Sequence, residues 1–214
     1  ELAVLQSVYE NAPKVETASK YTGYSYLPIG LFAYTQEDCV IKNLNLTNSI
    51  FFNDVYTGCG SVVANGAGTL DTVYSDATII NYRRCAGGLV GLVERGAFTL
   101  RNCWYDGEIR NIGNDGRWSG GLIGRIVSTS GETSIEHCLN TADISSEIVR
   151  EDAHAGGFVG VVSAGSKLNN DSRTRRWFRY CGWFSDRGQF TYHEECLYEF
   201  RWLSGNNRNH RWNL

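Results

Sequence analysis

The sequence is poor in several residues and patterns, and their absence narrows the class of protein. Only two of its 214 residues are proline, so few positions hold the backbone rigidly. It has no methionine and starts at Glu1, so we expect an excised or mature segment. No apolar run is long enough to cross a bilayer, which argues against membrane insertion of this segment. No C-x-x-C pair stands among the seven cysteines, so the usual zinc and dithiol motifs are missing.

The charge excludes a further class. The formal net charge is −3, which gives no basis for nucleic-acid binding by the chain as a whole. What the sequence has instead is glycine, present 24 times. Such a content predicts many tight bends or close backbone approaches rather than long helices.

The glycines recur inside short apolar words. CAGGLVG (85–91) is followed by SGGLIG (119–124) and AGGFVG (155–160). Glycine inside a strand normally marks a bend or a close approach of another backbone, so we predict a structural corner that each repeat passes. Consecutive copies lie 25 to 36 residues apart when the second glycine is the anchor. The anchors are Gly30, Gly60, Gly88, Gly121, Gly157 and Gly182.

A second block follows each anchor. GAFTLRNCWYDGEI (96–109) aligns without a gap on GETSIEHCLNTADI (131–144), and GAGTLDTVYSDATI (66–79) fits the same frame. We use the word column for the residues that hold the same position in successive repeats. We expect one column of this block to point into the core, and a second column, mostly isoleucine, to end the block. The inward column holds Leu44, Val73, Cys103, Cys138 and Cys196, and the closing column holds Ile50, Ile79, Ile109 and Ile144.

These repeats predict the fold. Each copy contains short β-prone pieces separated by Gly, Asn and Asp, with no helical periodicity. A unit of about 30 residues cannot bury its own apolar face, so the units must stack. We predict an all-β fold, a parallel right-handed β-solenoid (β-helix) of about six imperfect coils. A propeller is the competing fold, but its blades need four strands each.

The domain organisation follows from the same repeats. Residues 28–170 carry the solenoid repeats, and residues 1–27 form an N-terminal cap with a short helix at 2–12. Residues 171–214 form a degenerate last coil and a C-terminal cap rich in aromatic residues and arginine, because the last layer of a solenoid must be covered.

The glycine word and the N-C-x-x-x-G-x-I block after it resemble the GLUG-motif repeat family of large bacterial surface proteins. The resemblance spans residues 28–202. It implies a β-solenoid in secreted or surface-anchored proteins such as adhesins, and it implies no catalytic residues. We therefore expect a non-enzymatic segment of a secreted or cell-surface protein that acts as a rigid stalk or an adhesive surface. Its partner would be a glycan or an extracellular matrix or surface protein.

Two other functions stay open on the sequence alone. Parallel β-helices also host polysaccharide lyases and hydrolases, although such an analogy rests on the fold only. A purely structural subunit that associates end to end is the other alternative. If the segment binds a ligand, the candidate residues are Trp104, Tyr105 and Trp118, which we place in turn segments outside the core pattern.

Acidic residues raise the question of a metal or of acid–base chemistry. Asp106 and Glu108 are two apart, which predicts that they share one face of a strand. The alignment stacks Glu108 on Asp143, and Asp76 on Asp106. Ca²⁺ is the one cofactor that Asp106, Glu108 and Asp143 admit. The favoured interpretation is that these residues belong to polar turns, where aspartate bonds the local backbone.

The cysteines and anchor glycines are predicted to be structural. Buried free cysteine packs as a small apolar side chain, so we interpret Cys103 and Cys138 as core residues rather than as a thiol relay or a disulfide. The structural glycines in this prediction are Gly60, Gly88, Gly121 and Gly157.

Overall fold

The structure is a computed structural model that describes residues 28–54, 56–146, 154–170, 175–176, 180–184 and 190–194. The predicted helix and cap at the N-terminus, and most of residues 171–214, lie outside these ranges. Every regular element within them is a β-strand. The strands are β1 (Phe32–Thr35), β2 (Val40–Leu46), β3 (Ile50–Asn53), β4 (Gly58–Gly60), β5 (Val63–Gly66), β6 (Gly68–Ser75), β7 (Thr78–Gly87), β8 (Val90–Val93), β9 (Phe98–Arg101), β10 (Trp104–Tyr105), β11 (Glu108–Gly120), β12 (Ile123–Ile126), β13 (Glu132–Glu136), β14 (Leu139–Asn140), β15 (Asp143–Ser146), β16 (His154–Gly156), β17 (Val159–Val162), β18 (Lys167–Asn170), β19 (Arg175–Arg176), β20 (Tyr180–Phe184) and β21 (Phe190–Glu194).

Strands β1 to β19 form three parallel sheets that the chain visits in rotation. Sheet I has the order β1-β5-β8-β12-β17, and sheet II contains β2, β6, β9, β10, β13, β14, β18 and β19. Sheet III contains β3, β4, β7, β11, β15 and β16. Each pass through sheets I, II and III is one coil, and the coils run 32–60, 63–87, 90–120 and 123–156. The described chain is therefore a parallel β-solenoid of about four turns, which confirms the predicted all-β solenoid, whereas the right-handed sense, the six coils and the two caps stay predictions.

Equivalent residues of successive coils stack in columns, as the repeat predicts. The register pairs Leu70 with Leu100 and Leu100 with Ile135, and all three are buried. Cys103 and Cys138 lie between two register pairs, Arg101 with Glu136 and Trp104 with Leu139. They therefore share a further column, and both are buried. These columns form one continuous apolar core, whose burial supplies the main stabilisation of a stacked fold.

Sheet II bends at the same place in every coil. Asn43, Thr72, Asn102 and His137 occupy one column, and each has a left-handed backbone with φ between 51° and 60°. Asparagine tolerates this region, but threonine is a genuine outlier there because its Cβ is branched. The bend separates the two halves of sheet II and turns the following residue toward the core.

The glycine corner lies between sheets III and I, and close approach is what requires glycine there. A Cβ on Gly88 would overlap the carbonyl oxygen of Gly121 and the ring of Tyr105, and a Cβ on Gly121 would overlap that of Gly157. Gly88 and Gly121 are not among the glycines with positive φ. Glycine is therefore required at this corner because it has no Cβ, and not because the backbone adopts a left-handed conformation.

The predicted alignment is wrong by one residue at Gly60. Gly60 pairs with Gly87, and Val63 pairs with Val90, so Ser61 takes the place that Gly88 holds in the next coil. The Ser61 hydroxyl donates to the carbonyl oxygen of Gly88, so a small polar side chain fills this corner. The corrected register makes the third position after the anchor small in every described coil. That column holds Ala33, Ala64, Gly91, Gly124 and Gly160.

The closing column is also shifted in the first coil. Phe51, not Ile50, pairs with Ile79, because the bend before β3 contains one more residue than the later bends. At the other end of the described chain, β20 and β21 pair with each other in an antiparallel sense.

Candidate functional site

The outer face of sheet II carries the first cluster of candidate residues. The register pairs Trp104 with Tyr74 and with Leu139, so these three side chains lie on neighbouring strands. Trp104 is 40% exposed. Its indole Nε1 donates to Thr141 Oγ1 at 2.8 Å, and the Tyr74 ring meets it edge to face with centroids 5.0 Å apart. Trp104 is thus exposed and held in place on two sides, which suits a side chain that contacts a ligand.

Carboxylates surround this tryptophan. Asp106 accepts a hydrogen bond from the Thr141 hydroxyl, and Asp76 Oδ1 accepts one from the backbone amide of Asn48 at 2.9 Å. Partial burial, followed by the charges of Asp76 and Asp106, raises the pKa of Tyr74. The aromatic pair therefore lies in an acidic environment that can accept hydrogen bonds from hydroxyl groups.

The placement predicted for Tyr105 is wrong. Tyr105 is fully buried in the core and not in an exposed turn segment. Its hydroxyl donates to the carbonyl oxygen of Ala77 at 2.7 Å and lies 3.1 Å from that of Glu108. Its ring packs on the face that Gly88 leaves open. Tyr105 fills the corner between sheets II and III and offers no surface to a ligand.

Trp118 lies on the other side of the coil, in β11. The guanidinium of Arg125 stacks on its ring, with Cζ 4.1 Å from the ring centroid. Both side chains are half-buried. The structure therefore separates Trp118 from Trp104: one lies beside the glycine corner, and the other lies on the outer face of sheet II.

The acidic columns stack as predicted but do not assemble into one site. Glu108 pairs with Asp143, and Asp106 follows the pairing of Tyr105 with Ser75, which places it beside Asp76. A bend at Gly107 separates Asp106 from Glu108, so the prediction that they share a strand face is wrong.

The calcium hypothesis gains no geometric support from these carboxylates. Glu108 lies 3.7 Å from Arg110 Nε, and Asp143 Oδ1 is buried without a hydrogen-bond partner in the described residues. Asp106 is already engaged by Thr141. No group of three His, Cys, Asp or Glu side chains that could hold a metal ion occurs in the described part of the chain.

Five cysteines whose side chains the structure describes are free thiols. Burial raises the pKa of the Cys85 thiol to about 12. The hydrogen bond that Cys138 makes with Cys103, followed by burial, raises the pKa of the Cys138 thiol. The same hydrogen bond lowers the pKa of the Cys103 thiol. Both Cys103 and Cys138 are buried in the apolar core, where free cysteine packs as a small apolar side chain. The free cysteines are Cys39, Cys59, Cys85, Cys103 and Cys138, and Cys196 lies outside the described ranges.

A buried asparagine ladder is the feature that the sequence pattern did not indicate. Asn53 Nδ2 donates to Asn81 Oδ1 at 2.6 Å, and Asn81 Nδ2 donates to Asn111 Oδ1 at 2.7 Å. Asn111 Nδ2 then donates to Ser119 Oγ at 2.5 Å. Each of these asparagines lies two residues after the closing column, a regularity that becomes visible only when Phe51 replaces Ile50 in the alignment.

The stacked parallel strands define the class of this chain as a β-solenoid. No protein-family model matches the sequence. A search of curated proteins also finds no significant relative. None of the described residues forms a helix that could span a bilayer. The resemblance to the GLUG-motif family stays a prediction.

Proposed function

We propose that this chain is a non-enzymatic β-solenoid segment of a secreted or cell-surface protein that presents an adhesive face to a glycan. The outer face of sheet II around Trp104 is the binding surface in this proposal. The exposed and anchored indole of Trp104 is the observation that carries it. The resemblance to GLUG-motif repeats is consistent with the proposal.

Trp104 differs from the other large apolar side chains that are exposed. Those residues lie in the first coil or at positions 162 and 168, near the two ends of the described stack. Trp104 lies in the third coil, with a coil on each side of it. An indole exposed at this central position covers no open end, and its hydrogen bond to Thr141 reduces the conformational entropy lost on binding.

The surroundings of Trp104 favour a ligand with hydroxyl groups. Aromatic rings provide flat apolar contact area, and the carboxylates of Asp76 and Asp106 are strong hydrogen-bond acceptors. A phosphate or sulfate would be repelled at the same place by these two charges. A neutral glycan offers both hydroxyl donors and apolar ring faces, so it matches this surface best.

The test is calorimetric titration of the full 214-residue chain with neutral oligosaccharides selected on a glycan array. The informative variant is Trp104→Leu, because Leu139 holds the same register position in the next coil. We expect the variant to stay folded and to bind about tenfold more weakly, which is typical of a tryptophan at the centre of an interface. Tyr34→Leu is the matched control, because Leu92 occupies that column two coils later.

The outcomes separate the proposed function from its rivals. Saturable binding that Trp104→Leu weakens and Tyr34→Leu leaves unchanged supports an adhesive face. Release of shortened oligosaccharides would replace the proposal with a polysaccharide-active enzyme. A folded chain that binds nothing on glycan and matrix-protein arrays would leave the role of a rigid stalk.

End-to-end association is the second candidate, and exposed apolar side chains favour it. Leu31, Phe32 and Tyr34 are 42–61% exposed in the first coil, and Val162 and Leu168 are exposed at the start of the fifth. Open strand edges with apolar side chains are templates for pairing with another chain. Sedimentation velocity across a hundredfold concentration range tests this candidate. Concentration-dependent rods would support it, and a constant monomer would exclude it.

A further inference from the structure

Arg125 is held in a defined orientation beside the glycine corner. Its guanidinium stacks on the ring of Trp118 at 4.1 Å, and its Nε and Nη2 lie 3.3 and 3.2 Å from Ser163 Oγ. A stacked guanidinium keeps part of its fork free for a planar anionic partner. The orientation is therefore fixed before any ligand arrives, which lowers the entropic cost of binding.

Among the side chains that the structure describes, neither Arg125 nor Arg84 forms an ion pair. The ion pairs found there join Arg83 to Asp54, Arg101 to Asp71, and Arg110 to Glu108. Arg84 instead donates through Nη1 to the carbonyl oxygen of Tyr56 at 3.1 Å.

Both cations belong to strands that neighbour Trp118: Arg125 stacks on its ring, and Arg84 lies on the adjacent strand of sheet III. Arg84 directly precedes Cys85, which pairs with Trp118 in the register of sheet III. Burial and, to a smaller extent, the charge of Arg84 lower the pKa of Arg125, while the neighbouring Cys85 acts in the opposite direction. A half-buried cation is destabilised by its partial loss of hydration, and an anion bound beside Arg125 would relieve that cost.

We propose that Trp118, Arg125 and Arg84 form a binding site for the carboxylate or sulfate group of an acidic polysaccharide. This inference goes beyond the proposed neutral-glycan face on sheet II and does not depend on it. Arg125 would make charge-assisted hydrogen bonds to the anionic group, and Trp118 would hold the guanidinium in that orientation. A nucleic acid is the less favoured ligand, because the chain carries a net charge of −3 and because its other aromatic face is acidic.

The site is specific to one place in the stack. Arg125 occupies a column that holds Leu92 in the coil before it and Val161 in the coil after it. Arg84 pairs with Gly116 in the next coil. The other coils thus indicate which substitutions the fold accepts, and neither arginine is needed to build the column in which it lies.

Two variants follow directly from these neighbours. Arg125→Leu introduces the residue of the preceding coil, and Arg84→Gly introduces that of the following coil. Arg84 has a left-handed backbone with φ 46°, so its replacement by glycine removes strain. We expect Arg84→Gly to unfold at the same or a higher temperature while it binds the anion less well. A loss of affinity without a loss of stability separates a binding role from a structural one.

The experiment measures the affinity of the full chain for three probes by titration calorimetry. The probes are a heparin-type sulfated oligosaccharide, an oligogalacturonate and a neutral oligosaccharide of the same length. We expect Arg125→Leu and Arg84→Gly each to weaken the binding of at least one anionic probe about tenfold, and to leave neutral binding unchanged. Arg95→Gln makes a comparable charge change at an exposed position outside the site and should have little effect. Raising the salt concentration should weaken only anionic binding.

The inference fails if Arg125→Leu binds both anionic probes as tightly as the unchanged chain, or if Arg95→Gln weakens them equally. It also fails if single-stranded DNA binds more tightly than either polysaccharide. Trp104→Leu separates this site from the proposed adhesive face. If Trp104→Leu weakens the binding of the neutral probe alone, the two sites are independent. If it also weakens the binding of the anionic probes, the inference of a separate anionic site is refuted. If neutral binding is absent but anionic binding depends on Arg125, the adhesive face on sheet II fails and this site stands.

Discussion

Replacement of Asn81 by alanine should be one of the most costly single changes in the solenoid. Asn81 is fully buried in the middle of the asparagine ladder. Its Oδ1 accepts from Asn53 at 2.6 Å, and its Nδ2 donates to Asn111 at 2.7 Å. Alanine removes both groups and leaves their partners inside the core without these hydrogen bonds.

The magnitude follows from what each partner has left. Asn111 Oδ1 loses the donor that Asn81 supplies, and a buried unsatisfied acceptor costs about 1–3 kcal/mol. Asn53 Nδ2 keeps the carbonyl oxygen of Arg83 as an acceptor at 2.9 Å, so its cost is smaller. The void left by the carboxamide adds a packing cost. Together these effects predict a loss of about 3 kcal/mol in the free energy of unfolding.

Urea denaturation followed by circular dichroism measures this loss. The matched control is Asn45→Ala on the exposed face of β2, which should change the free energy of unfolding by less than about 0.5 kcal/mol. If Asn81→Ala costs less than about 1 kcal/mol, or no more than the control, the ladder is not the stabilising element inferred here. A double-mutant cycle with Asn111→Ala would then show a coupling near zero.

Three further changes test other features of the stack. Gly88→Ala should cost about 3 kcal/mol or more in thermal unfolding, because its Cβ would overlap the backbone of the next coil; a melting temperature equal to that of the unchanged chain would contradict this packing. Thr72→Asn should stabilise the chain by about 1 kcal/mol, because asparagine tolerates the left-handed backbone at φ 60°; Thr99→Asn, on an ordinary strand, should not. Asp71 has its pKa lowered to about 2, mainly by a hydrogen bond from its arginine partner. Its folded pKa lies below its unfolded value, so its stabilising contribution is present above about pH 4 and is lost as the pH falls toward 2. Asp71→Asn should flatten this part of the stability curve, and an unchanged acid limb would refute the ion pair's role.

The sequence predicted the columns well, because the same residue types return in the same order. The blocks at 66–79, 96–109 and 131–144 align in the structure with the offsets read from the sequence. One error arose because Ser61 stands where the next coil has its second glycine, and the other because a single residue is inserted in the bend before Phe51. Apolar side chains are similar enough that a shift by one still leaves a plausible core residue in each column. Only hydrogen-bond register resolves such a shift.

The position of Tyr105 was harder to predict for a different reason. Its column contains Ser75 and Asn140, which share neither hydrophobicity nor size. Each of the three instead reaches a polar partner near the corner, as Asn140 Nδ2 does with the carbonyl oxygen of Gly157 at 2.8 Å. The residues of this column share the ability to form a hydrogen bond near the corner, but not a residue type. A search for repeated residue types therefore misses the column and places Tyr105 in a turn.

The same reasoning explains where the proposed binding residues occur. Stacking requires each column to keep compatible side chains, so residues that serve the fold repeat from coil to coil. Trp104 stands between Tyr74 and Leu139, and Arg125 stands between Leu92 and Val161. Neither tryptophan nor arginine is needed to continue its column. Each is nevertheless fixed by a specific contact, one to a threonine hydroxyl and the other to an indole ring. Tyr105 also departs from its column but is buried and structural; Trp104 and Arg125 differ from it because part of each side chain is exposed to solvent, and this exposure is why we propose binding roles for them.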